Sequence, residues 1–262
     1  MNTENILFAF ALTISVGLAT GIGSVIAFTG KTDNKKYLPI SLGFGSGVML
    51  FAAFAELFPE SKETLVNIFG EEKGFLISII AFFIGMVFMV FTEKFCFHEH
   101  NDKKCNHCQN EKHALYQVGI MTAIAISIHN FPEGIAIFTS AMTNKTLGFS
   151  IAAAIAIHNI AVGIAISAPV YYGTEDKKKA FLISIITGLT EPFGALVGFI
   201  LFKNYMNEAF LGILLGIVAG IMVYISLDEL LPSAQKGSNH HMATYSMILG
   251  MIVMGICFVF IW

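Results

Sequence analysis

Two short runs of this chain put imidazole, amide and carboxylate groups inside stretches that are otherwise hydrocarbon. One reads Ile128-His-Asn-Phe-Pro-Glu-Gly-Ile135 and the other Ile157-His-Asn-Ile-Ala-Val-Gly-Ile164. His129 and Glu133 are four residues apart, so on a helix they share one face about a turn apart. Asn130 adds a carbonyl oxygen beside them. His158 and Asn159 repeat that pair, and Glu191 lies in the middle of a later apolar block. Imidazole nitrogen with carboxylate oxygen suits zinc, iron(II) or manganese better than calcium or magnesium. The amide oxygens of Asn130 and Asn159 tilt one end of the set towards harder ions. Without thiolate in the core, copper(I) is disfavoured. A charged residue at the bilayer centre costs about 2.5–3.5 kcal/mol on insertion scales unless it faces protein or water. A lone intramembrane His or Asn serves as readily to bond one helix to another; a whole set at one depth points to a divalent-metal site.

The elements that must carry these residues are membrane helices. Of 262 residues, 55% are hydrophobic and only 13% charged, with mean hydropathy +0.73. The apolar residues come in blocks of about 20, the length a helix needs to cross ~30 Å of hydrocarbon. Eight spans are expected, at 5–28, 38–58, 74–95, 115–141, 147–171, 180–202, 209–231 and 243–262. The first lacks a basic leader and is long for a signal segment, so it reads as a retained helix. Turn and charge signals fill the breaks. Lys31, Lys35 and Lys36, then Lys94, Lys103, Lys104 and Lys112, then Lys177 to Lys179, then Lys236 fall in alternate loops. The positive-inside rule puts those loops in the cytoplasm and both termini outside. No arginine and no basic stripe occur, which argues against nucleic acid as a partner.

Repeats tie the spans together. Gly47-Val-Met-Leu-Phe51 precedes Glu56-Leu-Phe-Pro59 at the spacing by which Gly220-Ile-Met-Val-Tyr224 precedes Glu229-Leu-Leu-Pro232. The two His-Asn runs are a second pair. In both cases the paired segments cross the membrane in opposite directions, as in inverted-repeat transporters whose sites lie near the midplane. Pro132 and Pro192 each lack an N–H, freeing the carbonyls of Ile128 and Gly188, and Pro132 is expected to kink its helix. Such backbone is tolerated at membrane depth where it lines a cavity or packs on protein.

At these residues the sequence resembles the ZIP family of divalent metal transporters, in its bacterial ZupT-like branch. The likeness covers nearly the whole chain and rests on His129-Asn-Phe-Pro-Glu-Gly134, Gly188-Leu-Thr-Glu-Pro-Phe-Gly-Ala195 and Gly220-Ile-Met-Val-Tyr-Ile-Ser-Leu-Asp-Glu-Leu-Leu-Pro232. The resemblance implies an all-α membrane protein of eight helices in a 3+2+3 inverted arrangement, one transport domain over residues 1–262 in a bacterial inner membrane. It implies metal uptake with zinc first and iron(II), manganese, cobalt or cadmium also carried, no organic cofactor, and a two-metal centre. One position would use His129, Glu133 and His158; the other would use Asn130, Glu133, Asn159 and Glu191. The fifth segment departs from the family pattern His-Asn-Ile-Pro-Glu-Gly: Ala161 replaces the proline and Val162 the second bridging glutamate. Weaker binding, as a single ion, is the expectation that follows.

Other features carry less. A cytoplasmic stretch, 96–114, holds Cys96, His98, His100, Cys105, His107, Cys108 and His113. It reads either as a metal-receiving loop with reduced thiols or as a solvated linker; no zinc-finger spacing is complete. Glu56, Asp228 and Glu229 sit where the spans were expected to end, as cation-attracting pathway mouths or as ordinary interfacial carboxylates. Glycines at 43, 45 and 47 permit close helix contact, within the chain or in a homodimer. A transport-impaired metal sensor is the alternative function. An intramembrane metalloprotease would need a His-Glu-x-x-His helix, and none occurs.

Overall fold

Short polar side chains that compete for backbone hydrogen bonds mark where several helices begin. Asn144 accepts from the amides of Thr146 and Leu147 at 2.9 and 3.2 Å, Asp176 from Lys179 at 3.0 Å and Asn207 from Phe210 at 3.0 Å. Each satisfies donors that a helix start leaves without an internal partner. Glu175, in the left-handed region at φ 57°, and Gly70, at φ 84°, close two of the helices.

The computed structural model describes residues 3–29, 37–101, 111–235 and 240–261. They form α1 (Thr3–Ala27), α2 (Tyr37–Phe69), α3 (Glu71–Asn101), α4 (Glu111–Thr143), α5 (Lys145–Thr174), α6 (Lys177–Phe202), α7 (Glu208–Gln235) and α8 (His240–Ile261). All eight are long and apolar enough to cross a membrane, and no strand occurs among the described residues. The chain is an all-helical, multi-pass membrane protein.

Two expected ends move. α2 runs through Pro59 to Phe69, and α7 runs through Pro232 to Gln235. In each, the helix widens into a π turn just before the proline, at Ala53–Leu57 and Ile225–Leu230. The proline then falls in the first turn of the resumed α-helix, where its missing N–H leaves no bond unmade. Ser46 of α2 donates to the carbonyl of Ser226, inside the second π turn, at 3.0 Å. α6 is interrupted at Leu189, three residues before Pro192, whereas α4 stays helical through Pro132 and α5 through Pro169.

The packing repeats itself. α4 and α5 lie together; α5 lies against α1 as α4 lies against α6, and α2 against α8 as α7 against α3. Glycines set these approaches at matched positions. A methyl on Gly47 would stand 1.9 Å from the carbonyl oxygen of Met247, and one on Gly220 1.9 Å from that of Phe82. Gly163 meets Thr20 as Gly134 meets Glu191, and Gly23 meets Ile160 as Gly194 meets Phe131, each at 2.0 Å. Gly17 and Gly188 meet each other. These pairs bring out a third repeat that the sequence reading passed over. Gly17-Leu-Ala-Thr-Gly-Ile-Gly23 of α1 answers to Gly188-Leu-Thr-Glu-Pro-Phe-Gly194 of α6, which sets Thr20 in register with Glu191. Gly43 and Gly47 are used against Ala243 and Met247 of α8, and Gly45 against Ala165 of α5, all within the one chain.

Candidate metal centre

His129, Asn130 and Glu133 come from α4, His158 and Asn159 from α5, and Glu191 from the first turn after the break in α6. All six side chains are fully buried. Helical spacing brings His129 and Glu133 onto one face, and the tight α4–α5 contact brings His158 to the same carboxylate. The Glu133 carboxylate lies between the two rings: His129 Nε2 is 3.4 Å from one oxygen and His158 Nε2 is 3.3 Å from the other. Ligand atoms of these three residues lie within 4.8 Å of one another. Two ligands each ~2.1 Å from a tetrahedral ion stand roughly 3.4 Å apart, so the nitrogen–oxygen separations match those of an ion's first shell.

Hydrogen bonding sharpens the point. The Asn130 amide donates to the Thr187 carbonyl at 3.2 Å. The Asn159 amide donates to the Val16 carbonyl at 3.1 Å and to Glu191 Oε1 at 2.5 Å. The remaining polar atoms of the six residues have no such partner: both nitrogens of each histidine, both Glu133 oxygens, the Asn130 and Asn159 carbonyl oxygens, and Glu191 Oε2. Nine of the thirteen buried side-chain polar atoms without a hydrogen-bond partner, among the described residues, belong to this cluster. A buried polar group left unsatisfied costs about 1–3 kcal/mol. Apart from the shared Glu133 carboxylate, neither ring meets a hydrogen-bonding group among the described residues, so bonding one helix to another leaves the second nitrogen of both histidines unexplained. At His129, Glu133 and His158, where the ligand atoms converge, such lone pairs are what a cation needs.

The other expected residues are scattered. Glu56 lies deeper than a helix end: it sits in the π turn of α2, 4% exposed, with one oxygen unpartnered and within electrostatic reach of Glu133. With Glu60 and Glu63 it lines a cleft of about 460 Å³ between α2 and α8. Asp228 is exposed and Glu229 half-buried, both in the π turn of α7. Cys105, His107 and Cys108 lie outside the described residues, as do the side chains of Cys96, His98 and His100, whose backbone completes α3. His113, exposed near the start of α4, contacts Gln117 at 3.2 Å. Val162 is fully buried.

Two groups escaped the sequence reading. The Tyr224 hydroxyl donates to Glu93, joining α7 to α3. Thr20 is buried with its hydroxyl oxygen unpartnered; the repeat that pairs it with Glu191 was the signal that would have found it.

Comparison with known proteins agrees with this geometry. Residues 97–258 match the family described as ZIP Zinc transporter. The zinc transporter ZupT of Clostridium perfringens is 48% identical, covering 97% of this chain and 96% of its own length. Those of Chlorobium chlorochromatii and Oceanobacillus iheyensis are 48% and 45% identical, each covering 97% of both chains. The chain belongs to the ZIP zinc transporter family.

Proposed function

We propose that this protein carries divalent metal, zinc first, across a bacterial inner membrane into the cytoplasm, through the centre formed by His129, Asn130, Glu133, His158, Asn159 and Glu191. The buried His129–Glu133–His158 group, whose ligand atoms lie within 4.8 Å of one another, is the observation that carries the reading. Two imidazoles and a carboxylate favour zinc, with iron(II), manganese, cobalt and cadmium as further cargo. The matched helix contacts support a 3+2+3 inverted arrangement forming a single transport domain, with access alternating about its midplane. The lysine-bearing loops support cytoplasmic placement of 96–114 and external termini. Bilayer lipid covers the exposed apolar face of α3 (Phe83, Ile84, Val87, Phe88 and Phe91), and a homodimer would form through such a face. Glu56, Asp228 and Glu229 would draw cations along the way, and the Cys/His stretch would receive them inside.

The test is zinc uptake into proteoliposomes. The unmodified chain should accumulate zinc and Glu133→Gln should lose at least tenfold of the initial rate. Binding without flux would favour the alternative, a metal sensor, which Val162 and the Cys/His stretch motivate.

A further inference from the structure

We infer that this centre takes a single divalent ion, held at its His129–Glu133–His158 end, because the matching half of the internal repeat carries no carboxylate. The inference rests on the transport reading only in taking the cluster as a metal site; it concerns how many ions that site holds.

The repeated packing gives every ligand a counterpart. His129 answers to His158 and Asn130 to Asn159. The asparagine amides obey that register too: Asn130 donates to Thr187 of α6, and Asn159 donates to Val16 of α1, each one residue before the paired Gly188 and Gly17. By the same register Glu133 answers to Val162 and Glu191 to Thr20. Val162 follows His158 by four residues as Glu133 follows His129, so it lies on the His158 face of α5. It is 0% exposed and part of the apolar core. Thr20 offers a buried hydroxyl where Glu191 offers a carboxylate. Each symmetric pair of positions, 133 with 162 and 191 with 20, holds one acid.

A second ion would have poor ligands and no compensating charge. Glu191 Oε1 is engaged by the Asn159 amide at 2.5 Å. What the rest of the cluster leaves without a hydrogen-bond partner is Glu191 Oε2, two amide oxygens and the Thr20 hydroxyl, one carboxylate oxygen and three neutral ones. Two dications repel about four times as strongly as two unit charges at the same distance. Glu133 and Glu191 together balance one dication. Glu56 is within electrostatic reach of Glu133 but outside the group whose ligand atoms converge, and two dications exceed even these three carboxylates. Uncompensated charge in a low-dielectric interior is strongly unfavourable.

The experiment counts zinc per chain in the detergent-purified protein by elemental analysis, subtracting the count for Glu133→Ala so that ions held elsewhere cancel. A difference of one is expected, rising to two in Val162→Glu. X-ray absorption at the zinc edge should show no zinc–zinc vector at about 3.5–4 Å in the unmodified chain and such a vector in Val162→Glu. A difference of two, or of none, in the unmodified chain overturns the inference, and this count decides it even where Val162→Glu does not fold. A folded Val162→Glu that still holds one ion overturns the role given to Val162. One ion without flux in proteoliposomes would sink the transport reading alone, while flux with two ions would sink this one alone.

Discussion

At the scale of single residues, the two asparagines are chemically identical and structurally unequal. Asn159 gives both amide hydrogens away, to Val16 and to Glu191, while Asn130 gives one, to Thr187. Removing the Asn159 side chain therefore strips a buried carboxylate oxygen of its donor and takes away a second bond from the Val16 carbonyl, which the backbone of α1 also engages. A group left unsatisfied in this way costs about 1–3 kcal/mol, and loss of a partner that orients a ligand typically weakens metal binding 10–100-fold. Asn159→Leu should lower the melting temperature and weaken zinc binding by about that factor. Asn130→Leu should do less of both. Calorimetric titration and thermal melts in the same detergent would rank them; equal losses would mean that the Asn159–Glu191 bond does not position Glu191.

At the scale of helices, glycine placement decides how close the backbones come. A methyl at Gly47 would lie 1.9 Å from the Met247 carbonyl oxygen, so α2 and α8 must separate to admit it. Overpacking of this kind costs about 1–3 kcal/mol. Gly45, two residues away, would meet the Ala165 methyl at 3.3 Å and the Ala161 carbonyl oxygen at 3.6 Å, contacts that a shift of a few tenths of an ångström relieves, and alanine is the better helix former by about 0.5–1 kcal/mol. Gly47→Ala should be clearly destabilised and Gly45→Ala close to neutral, as read by thermal unfolding. If the two behave alike, the α2–α8 approach is not the constraint. This contrast also marks what the sequence can tell. Apolar block length announced eight helices, and the His-Asn spacing announced the buried histidines that meet Glu133, because both follow from local periodicity. The π turns did not show: Pro59 and Pro232 read as stops, and only the packed structure reveals backbone widened so that each proline begins a new α turn. Thr20 stayed hidden because the repeat that pairs it with Glu191 shares only two glycines and a leucine, and the packing of α1 against α6 is what brings that register out. In sequence Glu56 reads as a residue near a helix end, a pathway mouth or an interfacial carboxylate, because Pro59 reads as the stop of a helix that runs on to Phe69.

At the scale of the whole molecule, the centre is a meeting of three helices, and an ion bound there would tie the fold together. α4 and α5 supply the converging ligands and α6 the second carboxylate, while α1 touches both α5 and α6 across Gly163, Gly17 and Gly188. Any ion that binds the folded chain and not the unfolded one stabilises it by RT ln(1 + [L]/Kd), about 2.7 kcal/mol at a hundredfold excess over Kd. With the scaling of soluble domains of roughly this length, that corresponds to a rise in melting temperature of roughly 5–10 °C. Zinc should therefore raise the unfolding temperature of the purified chain and chelation should reverse the rise. Magnesium should not substitute, because it demands octahedral oxygen ligands and gives up water reluctantly. Zinc bound only at the Cys/His stretch, 96–114, would also shift the melt, so Glu133→Gln is the discriminating variant. It retains every thiol and histidine but removes the charge on which both imidazoles converge, and its zinc-induced rise should vanish. A rise of equal size in Glu133→Gln would move the stabilising ion out of the bundle and leave the convergence of His129, Glu133 and His158 without a ligand to explain it.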